Sequence, residues 1–334
     1  MVRELHPLHG PHDPTTSTPP RRPGSLRRTT THDSLRPDGL LGAVHLVARG
    51  RDLQTGAGGD ARVVSSASLD VRIDFVNART VTAITSDPPA AELEALVGTA
   101  ASSGFRRAVE VAMPDARLTH SLRFQLLDDL PTAVLVGGYA VGAGGARLVR
   151  SPRMKVLQQA DICAGWATGG TILNEMADLG APPVVTGPPA PDLQPADDPL
   201  AWHACGPLPP HGMRRRRRLD LWRDGGLVAI ECFFRDSHFD PAGLETVVHE
   251  YTVQASLDPA TMRFVSCEAA IGALPWIECP AAAASAGRLA GAPADGLRDW
   301  VRETFVGTST CTHLNDTLRS LEDVAVLSDL VAPA

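Results

Sequence analysis

The sequence predicts an α+β protein made of two related units, each an antiparallel β-sheet followed by two or three helices, packed as a pseudo-dimer. Three observations carry that prediction. Runs of alternating apolar and polar residues bounded by turn residues precede leucine stripes at helical spacing, and this order occurs twice along the chain. A shift of 186 positions lays Asp38-Gly39-Leu40-Leu41-Gly42-Ala43-Val44 on Asp224-Gly225-Gly226-Leu227-Val228-Ala229-Ile230 without a gap, and carries Arg28 onto Arg214 and Arg49 onto Arg235. After seven inserted residues, Leu118-Thr119-His120 falls on Cys311-Thr312-His313, and a leucine-rich helix ending in acidic residues follows both.

Four segments result. Residues 1–26 mix proline with Thr, Ser, His and Arg, lack apolar periodicity and read as a disordered tail. A first unit covers 27–180, a linker rich in proline covers 181–212, and a second unit covers 213–334. In the first unit strands are expected from Arg28 to Val47, interrupted by a turn at Pro37-Asp38-Gly39, and again at 67–76 and 80–84. Helical stripes follow at 90–101 and from Leu122, and a helix over 154–180. In the second unit the run Arg214 to Arg218 leads into Leu219, Leu221 and Trp222, which fits a solvated or edge strand. A hairpin through Asp224-Gly225-Gly226, a strand with His249 and Tyr251 on one face and Glu250 on the other, a small alanine helix and a helix over 297–305 complete it.

The totals restrict function. With 31 Lys plus Arg against 38 Asp plus Glu the net charge is -7, and no aromatic platform accompanies the arginine run, so no nucleic-acid partner is expected. No run approaches the length of a membrane span, and no membrane partner is expected. Six cysteines form no CxxC pair and no secretory apolar segment precedes them, so reduced thiols and a cytoplasmic location are the expectation. Cys232 and Cys267, flanked by apolar residues, read as core, as does Cys279. His203 and Cys205 lie two apart in the linker and read as bystanders rather than ligands.

The densest chemistry is Thr310-Cys311-Thr312-His313-Leu314-Asn315-Asp316, which follows loop residues and precedes Leu314, Leu318 and Leu321 at helical spacing. The cluster therefore sits on a helix's first turn, where free N–H groups help a thiol release its proton.

From 213 to 325 the chain resembles a bacterial family known as domain of unknown function 2889. The resemblance runs through the arginine-rich opening strand, Asp224-Gly225-Gly226-Leu227, Asp236, His249-Glu250-Tyr251, Pro275-Trp276-Ile277-Glu278-Cys279 and Thr310-Cys311-Thr312-His313-Leu314. It departs from the family pattern in lacking Trp after Leu227 and in having Glu250 for Asp and Thr310 for Gly. The resemblance implies that the first unit is a degenerate copy, with Leu118 in place of the cysteine and Gly50 in place of the acidic residue, and it supplies no activity.

At the matched positions Asp236, His249, Cys311 and His313 are O, N and S donors that a divalent metal, zinc or iron, accepts. Alternatively Cys311 is a nucleophile, with His249 or His313 as base and Asp236 or Glu250 as its orienter. A third reading has Cys311 and His313 packed structurally at a helix start. Arg214, Arg215 and Arg216 are expected to hold the anionic end of a small-molecule substrate, with Trp276 as a further contact. The function expected is a cytoplasmic hydrolase-like enzyme acting on a small carbonyl or ester. The alternative is a non-catalytic ligand-binding or accessory subunit, and a homodimer or accessory-subunit contact is allowed.

Overall fold

The structure, a computed structural model, describes residues 10–146, 159–179 and 183–332. Eight strands form one antiparallel sheet: β1 (Ser25–Leu35), β2 (Val44–Thr55), β3 (Ala61–Asp74), β4 (Thr80–Asp87), β5 (Met213–Asp224), β6 (Leu227–Phe239), β7 (Glu245–Asp258) and β8 (Arg263–Ala273). Their order is β4-β3-β2-β1-β5-β6-β7-β8. Two four-stranded meanders thus meet edge to edge where β1 pairs with β5, from Leu26 opposite Leu221 to Ser34 opposite Met213. The turn between β5 and β6 uses Gly225 and Gly226 at φ 55° and 84°, the left-handed conformations that a two-residue hairpin demands.

The arginine run is therefore a central strand, not an edge. Its side chains alternate between the two faces, and the sequence reading of a solvated strand fails because the buried arginines meet carboxylates: Arg214 that of Asp33, Arg215 that of Asp236, Arg217 that of Asp129 and Arg218 those of Asp220 and Glu231. On one face lie Arg215, Arg217, Leu219 and Leu221 of β5 beside Leu26, Arg28, Thr30 and His32 of β1. This face carries the helices: α1 (Phe105–Ala112), α2 (Pro114–Leu118), α3 (Leu122–Val136), α4 (Tyr139–Ala143), α5 (Thr171–Leu179), α6 (Leu297–Thr304), α7 (Thr312–Ser320) and α8 (Val324–Leu327). Two apolar cores sit under them. One packs Val44, Leu46, Val71 and Ile73 against Leu126, Leu127 and Leu130 of α3; the other packs Ile230, Tyr251 and Val253 against Leu314 and Leu318 of α7.

Between the cores runs a seam of buried ion pairs that joins the halves. Arg28 of β1 takes Asp52 through Nε at 2.7 Å and Asp323 through Nη1 at 2.7 Å. Arg217 of β5 reaches Asp129 of α3 at 2.9 Å, and Arg319 of α7 reaches Asp128 at 2.8 Å. Arg298 of α6 donates to Gln125 and Asp323, both at 2.8 Å.

The opposite face is covered by two extended straps. Residues 10–24, taken from the sequence as part of a disordered tail, lie along the sheet: the Thr15 N–H donates to Glu250 and the Thr18 hydroxyl to the Leu193 carbonyl. Residues 1–9 of that tail lie outside the described residues. The proline-rich linker forms the second strap, with Leu193, Ala201 and Trp202 packed on Phe233. Proline keeps its carbonyl and lacks an N–H, so such a ribbon is rich in free acceptors, while a guanidinium offers only donors. Arg27 accordingly reaches the Pro19 carbonyl at 2.9 Å, Arg214 that of Gly206 at 2.7 Å and Arg235 that of Pro191 at 2.8 Å.

Two helix expectations change. Of the helix expected over 154–180, the described residues hold a 3-10 turn at Ala164–Trp166 and an α-helix at Thr171–Leu179, separated by Gly169 at φ 80°; residues 147–158 and 180–182 lie outside the described residues. The stripes at 90–101 and in the alanine segment become 3-10 helices, Ala91–Leu96 and Cys279–Leu289, instead of α-helices.

Candidate metal centre

Three of the expected residues converge on the helix-covered face of the second meander. Asp236 and His249 are direct partners across β6 and β7, and the pairing register shifts immediately after Asp236. Such a bulge re-aims side chains at the point where it falls. His313 arrives from above, on the first turn of α7, whose N-cap is Cys311. One ligating atom from each of Asp236, His249 and His313 can be chosen so that all lie within 4.8 Å of one another.

The carboxylate is fixed from behind. Arg215, opposite Asp236 on β5, donates Nε to Oδ1 at 2.9 Å and Nη2 to Oδ2 at 3.0 Å. Asp316, one turn along α7, lies 3.5 Å from the Arg215 Nη1. Burial acts to raise the Asp236 pKa, but the Arg215 charge and the His249 and Arg215 hydrogen bonds prevail and hold it well below the usual carboxylate range. Asp236 is thus ionised at neutral pH, the form a metal needs.

Oδ2 still has capacity. It lies 3.4 Å from the His249 Nδ1 and 4.0 Å from the His313 Nε2. The His249 Nδ1 is buried and lacks a hydrogen bond of ordinary geometry. The two imidazoles stack with centroids 3.7 Å apart. Burial, reinforced by His249, pushes the His313 pKa well down, so its ring is neutral and keeps a lone pair for coordination. The histidine side chains retain 14% and 15% exposure while Asp236 retains 1%, so the group is approached from the imidazole side.

Cys311 does not join this group. Its Sγ lies 3.9 Å from the Nδ1 of His313, the ring nitrogen other than the one nearest Asp236. The thiol therefore stands behind His313. Burial pushes its pKa up; the Leu314 and His313 backbone N–H groups and the Tyr251 hydroxyl offset part of this. The helix start acts in the expected direction and is outweighed by desolvation, so the activated thiolate expected from the sequence is not favoured. Cys163 nearby is likewise pushed up by burial and by Cys311, to about 11.

The other expected site residues lie elsewhere. Glu250 projects to the strap face, where its carboxylate takes the Arg235 Nε at 2.5 Å, so it does not orient His249 or His313. Side chains alternate along a strand, and residue 250 necessarily opposes residue 249. Arg214 is buried against Asp33 on the strap face, Arg215 is committed to Asp236, and Arg216 lies on the strap face beside Trp202. The three arginines therefore form no single substrate clamp. Trp276 is 6% exposed and belongs to the second apolar core.

In the first meander Asp52, not Gly50, lies opposite Arg28 across the β1–β2 hairpin, as Asp236 lies opposite Arg215 across the β5–β6 hairpin. The residue paired with Asp52 on β3 is Ser65, where the second meander has His249. The offset arises because the hairpin after β5 is shorter than that after β1, so a gapless alignment of the turns slips along the strands.

No curated protein and no solved structure matches the chain. Among the described residues, no helix is long and apolar enough to cross a membrane. Residues 213–327, which include Asp236, His249, His313 and every strand of the second meander, match the family described as protein of unknown function (DUF2889), and it is to this family that the C-terminal part of the chain belongs.

Proposed function

We propose that Asp236, His249 and His313 bind one divalent metal ion, and that the second unit is a metal-dependent hydrolase acting on a small carbonyl or ester substrate. The observation that carries the proposal is the convergence of one ligating atom each from Asp236, His249 and His313 within 4.8 Å, with the carboxylate held in place by Arg215. Two histidines and one carboxylate accept zinc or ferrous iron and leave coordination positions open. An ion so held would supply a water acidic enough to act as nucleophile near neutral pH. Arg215 would act as positioning residue for the carboxylate, and Cys311 as the outer neighbour of His313.

The same reading treats the first unit as a duplicated and degenerate copy that packs as the partner subunit of a dimer would. The matched Arg28–Asp52 and Arg215–Asp236 pairs support it, and Ser65 in place of His249 explains why that copy lacks the ligand group.

Elemental analysis and calorimetric titration with zinc test the metal. One ion per chain is expected, with affinity lowered at least about tenfold in His249→Gln and His313→Gln and kept in Cys311→Ser. No saturable binding, or binding abolished by Cys311→Ser alone, overturns the ligand set. The hydrolase assignment is tested separately with small esters, lactones and amides, and it fails if metal-loaded protein cleaves none of them faster than His249→Gln does.

A further inference from the structure

The strap face holds a second concentration of charge, on the side of the sheet away from Asp236. Most of its arginines are matched: Arg21 with Asp198, Arg27 with Asp220, Arg214 with Asp33, Arg218 with Asp220 and Glu231, and Arg235 with Glu250. Among the described residues of this face, Arg49, Arg51 and Arg216 lie close together and make no ion pair, while Arg22 stands apart over the Trp222 ring. The three are brought together by register. Thr31 lies between Arg49 on β2 and Arg216 on β5, and Thr29 lies opposite Arg51, so all five side chains rise from adjacent positions on one face.

Each cation retains donors. Arg51 uses Nη2 on the Leu200 carbonyl, and its Nε is buried without a partner. Arg216 lies with its guanidinium carbon 5.9 Å from the Trp202 ring centroid, and its Nε is likewise buried without a partner. Arg49 is exposed and opens the cluster to solvent.

His203 of the second strap sits among them, its Nδ1 2.9 Å from the Thr29 hydroxyl and its Nε2 2.9 Å from the Thr31 hydroxyl. Burial and the charges of Arg51, Arg214, Arg216 and Arg49 push its pKa down to about 3. A neutral imidazole bonded to two hydroxyls donates to one and accepts from the other, so the hydroxyl that accepts keeps its own hydrogen free to donate. The surroundings are therefore three cations and a hydroxyl donor, with neighbouring carboxylates already bound to other arginines.

We propose that Arg49, Arg51 and Arg216 form a binding site for a phosphate-class oxyanion, the terminal group of a small ligand, on the sheet face opposite the candidate metal centre, above the buried Thr29, Thr31 and His203. Guanidinium groups match tetrahedral oxyanions through paired N–H donors, and the half-buried setting limits screening. The site is independent of the metal proposal, since no residue is shared and the sheet lies between.

The test uses the full chain and inorganic phosphate at constant ionic strength, read by calorimetry and by the fluorescence of Trp202 beneath Arg216, with chloride and sulfate as comparison anions. Saturable binding is expected, weakened roughly tenfold or more in Arg49→Gln and in Arg216→Gln. His249→Gln and the exposed control Arg107→Gln are expected to bind as the parent does. Arg49 is exposed, so its variant keeps the test sound even if Arg216→Gln does not fold. Absence of saturable binding, or parental affinity in Arg49→Gln, overturns the site. Equal loss in Arg107→Gln would show a general charge effect and overturn it as well.

Discussion

Replacing Glu250 by Gln separates the two faces of the sheet. The Glu250 side chain is fully buried, accepting from the Arg235 Nε at 2.5 Å and the Thr15 N–H at 2.6 Å, and Arg235 is itself 1% exposed. Glutamine fills the same volume, so no cavity forms. It removes the charge facing the guanidinium and turns an NH2 toward one of two donors. Removing one member of a buried pair costs about 3–5 kcal/mol. Arg235 would keep the carbonyls of Pro191 at 2.8 Å and Thr15 at 2.6 Å, which places the loss near the lower end, at about 3 kcal/mol. With about 2.1 cal/mol/K of unfolding entropy per residue over 334 residues, Tm falls by about 4 °C. Calorimetric melting and zinc titration of the same preparation provide the assay. A Tm within about 1 °C of the parent refutes the energetic argument. A weakened zinc affinity refutes the placement of Glu250 on the far face.

Three further outcomes follow from the buried groups. Stability falls as pH drops below about 6.5: burial holds the His313, His32 and His203 pKa values below that of the unfolded chain, and His238 is pushed down to about 4, so the unfolded state binds more protons there. The loss is up to about 1.4 kcal/mol per pH unit for each histidine, and denaturant midpoints at pH 7.5 and 5.5 that coincide contradict it. In thiol labelling at pH 8 the half-buried Cys205 reacts first, whereas Cys311, Cys163, Cys267 and Cys279 react only on unfolding; rapid labelling of Cys311 contradicts its burial. Gly50→Ala places a Cβ 2.8 Å from the Leu122 Cδ1 and 3.2 Å from the Thr30 Cγ2, where α3 approaches β2, and costs about 1–3 kcal/mol; an unchanged urea midpoint speaks against this close approach.

Strand alternation, the Asp224-Gly225-Gly226 turn and the leucine spacing after Cys311 made most of the second meander and α7 legible from sequence, because each of these signals is local. The arginine run was not. Charge normally marks solvent, and the groups that neutralise Arg214, Arg215 and Arg217 are Asp33, Asp236 and Asp129, all remote in the chain and identifiable only after the strands pair. The straps were obscured for a related reason: proline-rich chain has little apolar surface, and what holds it is its carbonyls, which composition does not reveal. Of the candidate site, Asp236, His249 and His313 were nameable from their types and order. Glu250 was assigned to the wrong group although strand parity already placed it on the other face. Arg49 and Arg51 fell outside the expected strand, which ended at Val47, whereas β2 continues to Thr55 and carries both onto the strap face.

The ionic seam bears on how the protein comes apart. Arg28 leans on a carboxylate of the last helices, and Arg217 on one from α3, so unfolding either meander strands a buried charge in the survivor. Each such abandonment costs about 3–5 kcal/mol, comparable to a large share of a domain's net stability. Partial unfolding is therefore penalised from both sides, and the chain should melt in a single transition even though its apolar cores are two. Limited proteolysis would then yield intact protein or small peptides, with no long-lived half-molecule between them.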